Sequence, residues 1–176
     1  MIIFNSSFFQ IIVVMWSRNA FAALSVFSCL ALLFSCNEVE FNNPALQADL
    51  NNELWRATSF SASYDASGSL VITGTNNIET LVLTLPSDEL GSQDLGPEEG
   101  AKAVFTDGFG TKYSTAVLPD ESASVYTDLG VVNLTEKNTA GNTITGDFFF
   151  VAYDEEGLES VGLSNGIFFE LVINEN

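Results

Sequence analysis

Two patterns of apolar residues divide the chain. Up to Phe34 apolar residues dominate, relieved only by scattered polar ones such as Asn5, Gln10, Ser17, Arg18 and Asn19. From Leu46 onward they alternate with polar residues in short runs separated by Asn-Asn, Ser-Gly, Asp-Gly and Gly-Asn. Alternation with a period of two marks half-buried strands, and the separators mark tight turns. The runs predict strands at Leu46–Leu50, Glu53–Thr58, Phe60–Tyr64, Leu70–Thr75, Ile78–Leu85, Ala101–Thr106, Thr111–Leu118, Ser124–Thr127, Val131–Glu136, Thr143–Tyr153, Ser160–Leu163 and Ile167–Ile173. Asn51-Asn52 reads as a two-residue hairpin, because Asn tolerates positive φ. Trp55 and Ala57 are in phase with each other but not with Phe60, Ala62 and Tyr64, which predicts a bulge near Ser59. Pro86 to Gly100 shows no strand pattern and reads as a loop, and Ser164-Asn165-Gly166 reads as a turn between the last two strands. No stretch holds a helical period. The expectation is one domain over 46–176, an antiparallel meander of about ten strands closed as a β-sandwich or flattened barrel.

The apolar beginning is a different kind of segment. Ala20 to Phe34 falls short of the roughly 20 apolar residues that a spanning helix needs, and Arg18 stands just ahead of it. Leu33-Phe34-Ser35-Cys36 then gives way at once to polar Asn37-Glu38-Val39-Glu40. This junction resembles a bacterial lipobox, in which the cysteine is acylated and the preceding signal peptide removed. Residues 1–35 are therefore expected to be a signal peptide, for which Met15-Trp16-Ser17-Arg18-Asn19 makes a natural start. Residues 36–45 then form a lipidated tether. Val26-Phe27-Ser28-Cys29 fits the motif loosely, but cutting there leaves Leu30 to Phe34 as a greasy new terminus, so Cys36 is the expected site of lipid attachment. Acyl chains such as palmitate contribute about 0.8 kcal/mol per buried methylene, so several of them anchor stably. The alternative, a spanning anchor from Ile2 to Phe34, is weakened by the polar residues inside it.

Charge narrows the partners. The chain has 23 acidic residues, all after Cys36, against Arg18, Arg56, Lys102, Lys112 and Lys137. Cut before Cys36, it keeps four basic residues and a net charge of −19. Nucleic acid is excluded as a partner, since phosphate binding needs clustered Lys and Arg. The plain account of the excess is solubility of an exported domain.

The order of motifs carries a resemblance. Trp55-Arg56-Ala57 follows a hairpin, and Leu70-Val71-Ile72-Thr73-Gly74-Thr75 precedes an alternating strand. Thr143-Ile144-Thr145-Gly146-Asp147-Phe148-Phe149-Phe150 and Leu163-Ser164-Asn165-Gly166-Ile167-Phe168 come late. Together with the acylated cysteine, this resembles an uncharacterised family of Bacteroidota lipoproteins with an all-β domain of unknown function. The resemblance implies an outer-membrane or cell-surface lipoprotein and carries over no catalytic residue.

Candidate chemistry is sparse. There is no histidine, and no serine stands in a Ser-x-x-Lys arrangement. No catalytic residue, cofactor or metal site is assigned. Paired carboxylates are a distant route to glycoside hydrolysis. The acidic loops, with Asp88, Glu89, Asp94, Glu98 and Glu99 in one and Asp154, Glu155 and Glu156 in the other, offer oxygen ligands to calcium without EF-hand spacing. Solvated loops are the plainer reading. Trp55 is expected in the core, while Trp55, Tyr64, Tyr113 or Tyr126 would be the stacking platform of a glycan-binding accessory module. Phe148–Tyr153 is apolar on both faces, which predicts a central strand covered on both sides. The sharper alternative is that one face completes a partner's surface. The leading expectation is a lipid-anchored domain that binds or scaffolds and is not an enzyme.

Overall fold

The computed structural model describes residues 45–120 and 128–174. Cys36, the expected signal peptide 1–35, the predicted strand Ser124–Thr127 and Tyr126 lie outside the described residues. Within them the protein is all-β and no helix is present. The strands are β1 (Leu46–Leu50), β2 (Glu53–Arg56), β3 (Ser59–Tyr64), β4 (Leu70–Thr75), β5 (Thr80–Leu85) and β6 (Gly91–Asp94). They continue with β7 (Lys102–Thr106), β8 (Lys112–Ser114), β9 (Gly130–Asn138), β10 (Thr143–Tyr153) and β11 (Ser160–Asn174).

Seven strands close a ring in the order β11-β3-β4-β5-β7-β8-β10. Closure comes from strands that change partner along their length. β11 keeps β10 on one side, while its other side passes from β1 at Leu163–Phe168 to β3 at Ile173–Asn174. β10 likewise passes from β9 to a single pairing of Tyr153 with Ser114 on β8. The predicted bulge near Ser59 is a third such corner. Ala57 N–H still donates to Leu46 O on β1, and the next residue, Thr58, donates to Thr75 O on β4. The flattened barrel thus has one wall of β2-β1-β11-β10-β9-β6 and another of β3-β4-β5-β7-β8.

Three sequence expectations need correction. The connectivity is not a simple antiparallel meander, since the first strand lies beside the last and β11 meets β3 in parallel. Pro86 to Gly100 is not all loop, because Gly91–Asp94 forms edge strand β6 against β9; its polar residues carry no apolar period because it is held by backbone pairing and polar side-chain bonds rather than by an apolar face. Ser164-Asn165-Gly166 is not a turn. β11 runs straight through it with a shift in register, Asn165 taking φ 49° as the extra residue of a bulge. Gly166 is there for close approach. A Cβ at this position would lie 2.5–2.6 Å from the Phe148 ring, and Gly146 meets the ring of Phe168 in the same way. The two rings stack on each other at 6.5 Å across β10 and β11.

Alternation fills the interior as predicted for β5, where Leu81, Leu83 and Leu85 are buried and Thr80, Val82 and Thr84 are half-buried. Leu46, Ile72, Phe105, Phe148, Phe150, Phe168 and Trp55 join them in one core. Each such side chain contributes on the order of 1.5–3 kcal/mol by leaving water. Asn51 and Asn52 take φ 51° and 68°, the conformation of a type I′ hairpin.

Strand polarity sorts the connections. The β1–β2, β4–β5, β7–β8 and β10–β11 turns lie at one end of the barrel. The β3–β4 and β9–β10 turns lie at the other, where β11 ends and toward which the start of β1 points.

Candidate functional site

Phe149 is the exception in β10. Period-two geometry turns Phe148, Phe150 and Ala152 inward, where they are buried, and turns Asp147, Phe149 and Val151 outward. Val151 is half-buried and Phe149 is 46% exposed, so the strand is not covered on both sides as expected. The outward ring stands between depressions on either side. One, about 470 Å³, is floored by Gly166 and Ile167 and edged by Asp147, Ser164 and Asn165. A second, about 330 Å³, runs past Val151 and Gly162 to the Asn51-Asn52 turn. Across β9 a third, about 540 Å³, lies between Phe149, Val131 and the Leu95–Glu99 loop. Gly162 leaves open space above its backbone.

Two amide–carboxylate pairs edge the first depression, one from the β9–β10 side and one from the β11–β1 side. On one side Asn133 Nδ2 donates to Asp147 Oδ2 at 3.0 Å. On the other, Asn165 Nδ2 donates to Asp49 Oδ2 at 2.9 Å. The bulge at Asn165 is what aims its amide across to β1. Each pair fixes two short side chains, while a carboxylate has about four acceptor positions and an amide oxygen two. The face therefore presents one aromatic platform and preset acceptors and donors on both edges of the depression beside it.

The aromatic residues expected to form a platform do not assemble one. Trp55 is 3% exposed and packs edge-on against Phe105 at 6.4 Å. Tyr64 is half-buried and donates to Asp88, which also pairs with Lys137. These two donors hold the Asp88 carboxyl below its ordinary proton affinity, Lys137 contributing most. Tyr113 is half-buried. Burial raises its phenol, and repulsion from Asp107, Glu159 and Asp154 adds to this.

The acidic loops are structural in their contacts. Asp154 Oδ1 accepts from the N–H groups of Leu158 and Glu159, closing its own turn. Asp88 ties its loop to β3 and β9. Among the described residues no three Asp, Glu, Cys or His side chains gather closely enough to hold a metal ion. Asp65, also shifted below its ordinary value, is bonded by Ser67 and Ser69 within the β3–β4 turn. Glycoside hydrolysis needs a carboxyl shifted the other way, to stay protonated as the acid.

The alternative that one face of Phe148–Tyr153 completes a partner's surface covered Phe149 without singling it out. Its signal was an apolar residue on the strand face whose neighbours, Asp147 and Thr145, are polar.

The fold and this surface define a closed all-β domain carrying an open, shallow face. A family model described as a domain of unknown function (DUF6252) matches residues 42–172, and the chain belongs to that family. No curated protein and no solved structure matches.

Proposed function

We propose that this is an exported lipoprotein, cut before Cys36 and held by its acyl chains at the outer membrane or cell surface, whose β domain binds a partner and performs no catalysis. Its family is, on this reading, one of Bacteroidota lipoproteins. The observation that carries the binding role is Phe149, an apolar ring kept in water between depressions while its neighbours on the same strand fill the core. A strand gains less for folding from a half-exposed ring than from a buried one, and solvent-exposed apolar groups grouped with polar rims mark interaction sites. The lipobox-like junction supports the anchor, and among the described residues no helix is long and apolar enough to cross a membrane.

The anchor is tested by intact-mass spectrometry of protein isolated from its native membrane. The expected species begins at Cys36 and carries diacylglycerol, and Cys36→Ala moves the domain to the soluble fraction. An unprocessed chain recovered from the cytosol would overturn the proposal.

A further inference from the structure

We infer that the Phe149 face is a binding site for a neutral saccharide chain. This rests on the binding role proposed above and names its ligand. A pyranose ring has an apolar C–H face and a rim of hydroxyls, each both donor and acceptor. Phe149 offers a flat apolar surface of matching size, 46% exposed and backed by the rigid β10–β11–β9 ladder. Along the edges of the first depression beside it, Asn133–Asp147 and Asn165–Asp49 place an amide beside a carboxylate, which is the mixture that a hydroxyl rim requires. The depressions beside Phe149 lie open along the sheet, so a chain can run through rather than end inside. Gly162 keeps the path low, since nothing within 4 Å stands over it.

Charge selects among saccharides. Asp49 and Asp147 belong to the pairs that edge the first depression, and Asp94, Glu98, Glu99 and Asp128 border the depression beyond β9. Uronates and sulfated chains are repelled. A cationic peptide is the competing class. The geometry favours the sugar because Asp147 and Asp49 are each held by an amide as oriented acceptors beside an apolar ring, which suits a rim of hydroxyls.

The experiment is calorimetric titration of the native lipidated protein in detergent micelles. The probes are gluco-, manno-, galacto- and xylo-oligosaccharides, an oligogalacturonate and a Lys-rich peptide. At least one neutral oligosaccharide is expected to bind and the oligogalacturonate to fail. Phe149→Ala should weaken binding about tenfold or more, as loss of a central aromatic contact does. Gly162→Leu should block the path, and Phe109→Ser, at the tip of the β7–β8 turn, should leave affinity unchanged. Circular dichroism confirms that each variant is folded. The inference is overturned by no binding across the neutral probes, by binding that survives Phe149→Ala, or by Phe149-dependent binding of the peptide alone. The mass spectrum of the same preparation separates the two readings. Acylated protein without sugar affinity removes this inference only, whereas unacylated protein removes the anchor.

Discussion

Replacing Gly166 with alanine isolates one packing contact. Gly166 does not have positive φ, so the backbone accepts alanine without strain. The cost is steric. The added methyl would lie 2.5 Å from Phe148 Cε2 and Cζ and 2.6 Å from Cδ2, about an ångström inside normal contact. Phe148 cannot swing clear, because it is 2% exposed and stacked between Phe150 at 6.2 Å and Phe168 at 6.5 Å. Overpacking of this kind costs about 1–3 kcal/mol, and the double-sided stack places Gly166→Ala near the upper end. With a urea slope of roughly 1–3 kcal/mol per molar, the midpoint falls by about 1 M. The assay is equilibrium urea unfolding followed by circular dichroism. Gly162→Ala, on the same strand with open space above it, is the control and should be neutral or slightly stabilising. Phe148→Leu in the Gly166→Ala background should recover part of the loss, with a coupling of about 0.5–3 kcal/mol. A loss under about 0.5 kcal/mol for Gly166→Ala, or strict additivity in the double variant, would refute the account of these glycines.

Three further outcomes follow. Asp88 has its proton affinity lowered in the folded state, so its contribution is fully present above the unfolded value of 3.8 and is lost as pH falls below it. Asp88→Asn should flatten that acid limb and cost about 0.2–1 kcal/mol at neutral pH, given a partly exposed pair, and an unchanged acid profile would count against the Tyr64–Asp88–Lys137 tie. Phe150→Ala should cost about 3–5 kcal/mol and Phe149→Ala about 1 kcal/mol in the same melts, since one ring is 1% and the other 46% exposed. Comparable losses would mean that β10 is covered on both faces. Trp55→Phe should cost well below the ~3–5 kcal/mol of truncating a core aromatic to alanine, because it keeps the packing and removes a buried indole N–H with no hydrogen-bond partner; thermal denaturation reads this directly.

Much of the fold was legible because half-buried strands write their period into the chain. β1, β4, β5 and β10 lie where Leu46–Leu50, Leu70–Thr75, Leu81-Leu83-Leu85 and Thr143–Tyr153 placed them. β6 was not legible, since an edge strand of Gly, Ser, Gln and Asp is specified by a neighbour's backbone rather than by its own side chains. Ser164-Asn165-Gly166 misled for a related reason. Glycine marks either a turn or a place where a ring lies flat on the backbone, and only Phe148 across the sheet decides between them. The corners at Thr58, Tyr153 and Ile173 depend on pairings as far as 111 residues away in the chain, as between Ala62 and Ile173. Phe149 was visible as an apolar residue but not as an exposed one, because the sequence of β10 does not say which face is left uncovered.

The opposed grouping of the hairpin turns has a practical consequence for anyone attaching a reporter. An epitope spliced into the β7–β8 turn, where Phe109 is 98% exposed, would project from the extremity that β1 runs toward. A fluorescent protein fused after the last strand would instead emerge on the flank from which β1 sets out. Antibody access to the first, and crowding of the second, would report how the proposed anchor orients the barrel without touching Phe149.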